Sequence, residues 1–355
     1  MNISKKRNTG PNRAFTLLEL MVSMVVLSLI MLLVFRMLDS TTRTWSNAQA
    51  RVSTFKEARV AFEGMTRRIS QAMLNTYFDY QYPGNNPRQR PRGYERKSDL
   101  HFISGKSEDL LAAGKYPTHC IFFQAPLSFS VDPKNRSFGS LLNSWGYFVE
   151  RNTDKAQIPE FFPSGTIQDR ERYRLMEFRP PTENMKVYAS DLKTRYNTDW
   201  FKEDIIGTEG GTLTEGGRPF SMPIAENIIA LIIEPKNSSA IEAPNTLAPE
   251  YEYNSRRYQV KRNAKDPTKH QLPPLVEVTM VAMDERSALR LEQTMGSLAS
   301  DLVPPGLFQE VKDYDDDLKE LQEKLDSFRP PITYRVFHET VGIRASKFSD
   351  SDLQK

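Results

Sequence analysis

A few stretches of this sequence hold residue types at spacings that could do chemistry, and each can be tested against what that chemistry requires. Ser104-Gly105-Lys106-Ser107 matches the end of a phosphate-binding loop. Such a loop needs an earlier glycine so that backbone N–H groups can close around the phosphate, and Leu100 stands there instead. The stretch reads as a turn. Asp313, Asp315 and Asp317 open with EF-hand spacing, yet Leu318 occupies the glycine position and Lys324 the closing glutamate. His338-Glu339 lacks a second histidine at Gly342, which a zinc-protease helix requires. His119 beside Cys120 would suggest an activated thiol, but the run is strand-like, and neighbours on a strand face opposite sides. The other histidines, 101, 270 and 338, are scattered, and no G-x-S-x-G elbow occurs. Carboxylates without a spacing constraint select no acid–base pair. The reading is a chain with no catalytic residues, no metal ligands, no cofactor and no small-molecule substrate.

One carboxylate does stand out. Between Phe15 and Phe35 the sequence is apolar apart from a few hydroxyls, and Glu19 is its only ionisable side chain. A charge at that depth costs several kcal/mol even on cautious scales, so Glu19 needs a partner or a place at the interface. As a helix the run spans about 31 Å at ~1.5 Å per residue, enough to cross a bilayer core. The preceding residues 1–14 are polar and basic, with Lys5, Lys6, Arg7 and Arg13 and no acid. That bias keeps the N-terminus cytoplasmic and sends the remainder outward. An ordinary signal peptide has a shorter apolar core ending near an A-x-A site. Ala48-Gln49-Ala50 is the only such tripeptide nearby, and it falls well past the run.

The order of basic leader, small residue, Phe-Thr-Leu-Leu-Glu and long apolar helix resembles the class III leader of type IV pilins and type II secretion pseudopilins. The resemblance implies that a prepilin peptidase/methyltransferase cuts between Ala14 and Phe15 on the cytoplasmic side and methylates the new N-terminus. Ala14 departs from the glycine usual there, though it too is small. Glu19 would then be the fifth residue of the mature chain. Cutting creates an ammonium group one helical turn from Glu19, which favours the ionised carboxylate and pairs more strongly in low dielectric. In a filament that ammonium can belong to the neighbouring subunit, so Glu19 would serve as the docking residue that sets register.

The elements that must position these residues follow from periodicity. Trp45, Ala48, Val52, Phe55, Ala58, Phe62, Met65, Ile69 and Ala72 recur every three or four residues, one face of an amphipathic helix. Arg43, Arg51, Lys56, Glu57, Arg59, Glu63, Arg67 and Arg68 fall on the solvated side. No proline intervenes between Phe15 and Pro83, so a single helix is allowed, with Gly64 its weak point. The expected organisation is a leader over residues 1–14, a membrane half-helix over 15–35, an amphipathic half over 36–80, a Pro/Gly/basic linker over 81–98 and an extracytoplasmic body over 99–355. The linker's Arg88, Arg90, Arg92, Arg96 and Lys97 read as a solvated loop. Strands are expected over 100–104, 120–124, 145–150, 173–178, 228–234, 275–283 and 332–343. In the 275–283 run, Val276, Val278, Met280 and Ala282 alternate with Glu277, Thr279 and Val281, a half-buried pattern. Helices are expected through Ala288, Leu291, Met295, Leu298 and Leu302, and over 315–327. The class is α+β, a long N-terminal helix packed on a mostly antiparallel β-sheet body.

Bulk properties agree with an anchored globular body. The chain has 355 residues, a net charge of +3 from 48 basic and 45 acidic side chains, and one cysteine. Charge so even gives no argument for nucleic acid, and one cysteine excludes an intrachain disulfide. Residues 331–349 are similar to the terminal strand of J-type minor pseudopilins, and 55–80 point the same way. With 272–291 they resemble the pilin-like Verru_Chthon cassette protein C family. These likenesses imply a single-pass inner-membrane subunit with a periplasmic body, assembling with other pseudopilins at or near the tip of a short type II secretion-like filament. The rival readings are a minor pilin of a surface type IV pilus, serving adhesion or DNA uptake, and a membrane-tethered binding or sensory domain that never polymerises.

Overall fold

The computed structural model describes residues 17–112, 114–135, 137–153, 170–188, 199–206, 220–238, 246–256, 268–295 and 302–348. The chain divides into two units, Met1–Val52 and Ser53–Lys355. Helix α1 (Leu17–Ile69) contributes to both. Its first stretch makes up the described part of the first unit, and its residues from Ser53 onward belong to the second.

The second unit is α+β with every strand pairing antiparallel. A two-stranded ribbon is formed by β1 (Tyr77–Gln81) and β2 (Gly93–Lys97). The largest sheet is built from β3 (Ile103–Lys106), β4 (His119–Ala125), β5 (Asn143–Thr153), β6 (Glu171–Phe178), β7 (Ser221–Glu226) and β9 (Tyr253–Asn254), in the order β7-β6-β5-β4-β3-β9. A three-stranded sheet is ordered β11-β10-β8, from β8 (Ile228–Lys236), β10 (Leu275–Met283) and β11 (Tyr334–Gly342). Short helices α2 (Ser107–Leu110) and α3 (Lys202–Ile206) flank the large sheet. The longer α4 (Glu285–Met295) and α5 (Tyr314–Ser327) follow β10.

Alternation along β4 explains why the large sheet is covered on both faces. Ile121 and Phe123 enter one apolar core, with α1 residues Ala58, Phe62, Met65 and Ile69. Cys120 and Phe122 enter another, with Trp200, Phe201 and Ile205. Phe122 stacks on Phe201 at 3.9 Å. That stack requires Gly146 on β5, because a Cβ there would meet Phe122 Cδ1 at 2.1 Å.

The small sheet is covered on both faces too, which corrects the half-buried reading of β10. Met280 pairs with Phe337, whose ring lies 5.8 Å from that of Phe62 on α1. On the opposite face, Thr279 Oγ1 lies 2.6 Å from Tyr314 Oη of α5. Thr279 and Val281 are therefore as buried as their neighbours.

Two expectations shift in the same region. Helix α1 ends at Ile69, not near residue 80, closing with tight bonds from Gln71 N–H to Arg68 O and from Ala72 N–H to Ile69 O, both 3.0 Å. The chain beyond it pairs as β1 with β2, so part of the expected 81–98 loop is a strand. Strand β3 begins at Ile103, not residue 100, because side chains take the preceding N–H groups. Leu100 N–H donates to Asn75 Oδ1 (3.0 Å), His101 N–H to Gln124 Oε1 (2.8 Å) and Phe102 N–H to Ser255 Oγ (3.0 Å).

Candidate assembly segment

The described part of the first unit is an apolar helix, and among the described residues nothing packs on it. Every described large apolar side chain from Leu17 to Leu38 is exposed, and residues Leu17–Thr42 are long and apolar enough to cross a membrane. Its hydroxyls are internally bonded. Ser23 Oγ donates to Leu20 O at 2.9 Å and Ser28 Oγ to Met24 O at 2.8 Å. Thr41 Oγ1 donates to Met37 O at 2.8 Å. Back-bonding of this kind removes the penalty a free hydroxyl would suffer in hydrocarbon.

Glu19 lies in the first turn of α1. It shares one shallow apolar face with Leu18, Val22, Ser23, Val26, Leu27 and Ile30. Spacings of three and four residues produce that stripe, and the small Ser23 within it lets a second helix approach closely. Ala14 and Phe15, the expected cleavage and methylation residues, lie outside the described residues.

In the second unit the helix is fixed by both packing and charge. Phe55 is partly buried on the core, and Ala58, Phe62, Met65, Ile69 and Ala72 are buried, as the spacing predicts. Trp45, expected on the same face, is 74 % exposed, and the side chains of Ala48 and Val52 lie outside the described residues. Arg68, expected on the solvated side, instead donates from Nη1 to Glu177 Oε1 at 2.8 Å. The same oxygen accepts from Tyr147 Oη (2.9 Å) and Trp145 Nε1 (3.1 Å), while the Arg68 guanidinium lies 5.3 Å from the Trp145 ring. A nearly buried carboxylate with three donors is a satisfied one, so Glu177 locks α1 to β5 and β6. Periodicity holds no signal for this bond, because an arginine beside the apolar stripe looks the same solvated or paired.

The candidate chemical residues fall apart in the same way. His119 is buried at the head of β4, where Nδ1 accepts from Ile233 N–H (3.1 Å) and Nε2 donates to Phe308 O (3.1 Å). Burial lowers its pKa to about 4, so it is a neutral bridge between β8 of the small sheet and the loop before α5. Burial likewise pushes the Cys120 thiol up to about 12, which denies it thiolate character. His101 Nε2 donates to Asn254 Oδ1 (2.8 Å) and its Nδ1 accepts from Trp200 Nε1 (3.1 Å). Ser107 N–H, in the motif that imitates a phosphate loop, donates to Thr118 O at 2.8 Å. Asp317 Oδ2 accepts from Phe308 N–H, whereas Asp315 faces solvent. His338 and Glu339 sit on β11, not on a helix. Among the described residues no group of His, Cys, Asp and Glu could hold a metal ion.

Comparison with known proteins bears on the N-terminal segment. A family model described as the prokaryotic N-terminal methylation motif matches residues 10–35. No curated protein and no solved structure matches the chain. The motif, with a long N-terminal helix packed on an antiparallel sheet, matches a pilin-like architecture. Among the described residues one helix is long and apolar enough to cross a membrane, which is consistent with a single-pass membrane protein.

Proposed function

We propose that this chain is a pilin-like filament subunit, cut between Ala14 and Phe15, methylated on Phe15, and assembled through the exposed apolar stretch of α1. One observation carries the reading. A methylation motif over residues 10–35 covers the apolar run from Phe15 to Phe35, in which Glu19 is the only ionisable side chain. The new ammonium of one subunit neutralises Glu19 of another, the stripe from Leu18 to Ile30 packs laterally, and the body selects neighbours. The basic residues of 1–14 favour a cytoplasmic N-terminus and a periplasmic body. The likeness of residues 55–80, 272–291 and 331–349 to J-type minor pseudopilins and to Verru_Chthon cassette protein C supports the finer assignment of a minor pseudopilin in a short type II secretion-like filament. Its partners are then the prepilin peptidase/methyltransferase, other pseudopilins and inner-membrane lipid.

The test is crosslinking of the full chain in native membranes from a cysteine placed on the Leu18–Ile30 stripe. A filament subunit gives products with pilin-like neighbours. A chain that is only tethered gives none, and that result would overturn the proposal.

A further inference from the structure

The β1–β2 ribbon has two unlike faces. Register places Phe78 opposite Arg96 and Tyr80 opposite Tyr94, so these four share one side. The other side is bonded internally: Lys97 Nζ lies 2.6 Å from Asp79 and 2.9 Å from Glu95, and Tyr77 Oη donates to Asp99 at 3.3 Å. On the first side Phe78 is 64 %, Tyr80 46 % and Tyr94 69 % exposed, with the two tyrosine rings 5.0 Å apart. The loop joining the strands adds Arg88, Arg90 and Arg92, all exposed, and no ion pair among the described residues includes any of the three. Exposed aromatics joined to a loop with three exposed arginines have the composition of an interface, and its complement is acidic.

The same body carries that complement. Asp315, Asp316, Glu320 and Asp326 of α5 are exposed, and no ion pair among the described residues includes them, while the one exposed lysine among them, Lys319, lies 3.9 Å from Glu323. The ribbon lies at one end of the β10–β11 pair, whereas α5 runs from Tyr314, whose Oη is 2.6 Å from Thr279 Oγ1 at mid-strand, to the opposite end. At the Leu275/Gly342 end, Arg344 N–H donates to Ser70 O (3.1 Å), just before the ribbon, and Thr76 Oγ1 donates to His270 O (3.2 Å). At the other end, Ile332 N–H donates to Leu325 O of α5 (3.2 Å), two residues before β11 begins. A body with opposite charge on two different surfaces favours a heterologous contact over a two-fold one. Two-fold pairing would set arginine against arginine.

We propose that the aromatic and arginine-rich face of the β1–β2 ribbon in one copy docks on the acidic face of α5 in a second copy. The proposal rests on the filament reading for its setting, and it gives the subunit a neighbour on each side. The test uses the full chain in native membranes, where the native Cys120 is buried. Arg90→Cys and Asp316→Cys are placed on separately tagged copies and joined with a short thiol crosslinker. A mixed-tag product is expected from the two together, with neither variant alone giving one. Replacing Arg88 and Arg92 by Glu should lower the yield about tenfold, and adding Asp315→Arg with Glu320→Arg should restore it. Unchanged trypsin resistance verifies folding, and the restored pair would show that the loss was not misfolding. No mixed product, or capture of a different membrane protein by Arg90→Cys, overturns the proposal. If crosslinks from the Leu18–Ile30 stripe persist in that case, the filament reading stands and only this contact falls.

Discussion

Glu19 is where residue chemistry bears most directly on assembly. Glu19→Ala removes an intramembrane carboxylate, so insertion is unimpaired or improved. If the carboxylate pairs with the ammonium of a neighbouring subunit, capture of pilin-like partners from the α1 stripe falls at equal membrane abundance. A glutamate that only reaches the interface predicts no loss. His119 supplies a second prediction, in the body. Its imidazole is neutral in the fold, with a pKa of about 4 against an ordinary value near 6.5. Between those values the unfolded chain binds the proton and the folded one does not, so stability rises with pH across that window. It is fully present above pH ~6.5, declines as pH falls toward ~4, and amounts to about 3 kcal/mol. Burial lowers His270 to about 4 as well, with the same sign. Urea midpoints at pH 7 and pH 5 check this. His119→Gln should have the flatter profile, and equal slopes would contradict the bridge.

At the scale of elements, the docking of residues 53–69 is what makes the body one unit. Phe62→Ala removes a buried ring from between α1 and β11 and should cost about 3–5 kcal/mol, whereas exposed Val60→Ala should change stability by less than ~0.5 kcal/mol. Comparable denaturation midpoints for the two variants would mean that this face is not the docking face. Much of this architecture was legible in the sequence. The 275–283 strand is observed with those bounds, α5 differs from its expected start by one residue, and the stripe from Phe55 to Ala72 is buried. The misses have physical causes. The ribbon β1–β2 is largely exposed on both sides, so it lacks the apolar alternation that marks a strand. The end of α1 lacks any glycine or proline signal, and tertiary pairing of the next residues ends it. The half-buried pattern of β10 misled because α5, distant in sequence, covers the second face. The bond from Arg68 to Glu177 joins residues 109 positions apart, beyond any local pattern. Of the candidate site, the apolar helix and the place of Glu19 on it were readable from residue types alone. The charged interface faces were not, because an arginine-rich loop looks the same solvated or docked.

The molecule as a whole combines an N-terminal segment that carries a methylation motif with a body cross-braced without disulfides. His119 ties β8 to the loop before α5, Glu177 ties α1 to the large sheet, and apolar side chains cover both faces of the large sheet. The central claim is that the chain is a processed filament subunit, and the most direct measurement is N-terminal mass spectrometry of the protein extracted from native membranes containing an active prepilin peptidase. A mature chain that begins at Phe15 with an N-methyl group is the expected result. An intact chain beginning at Met1 would contradict it.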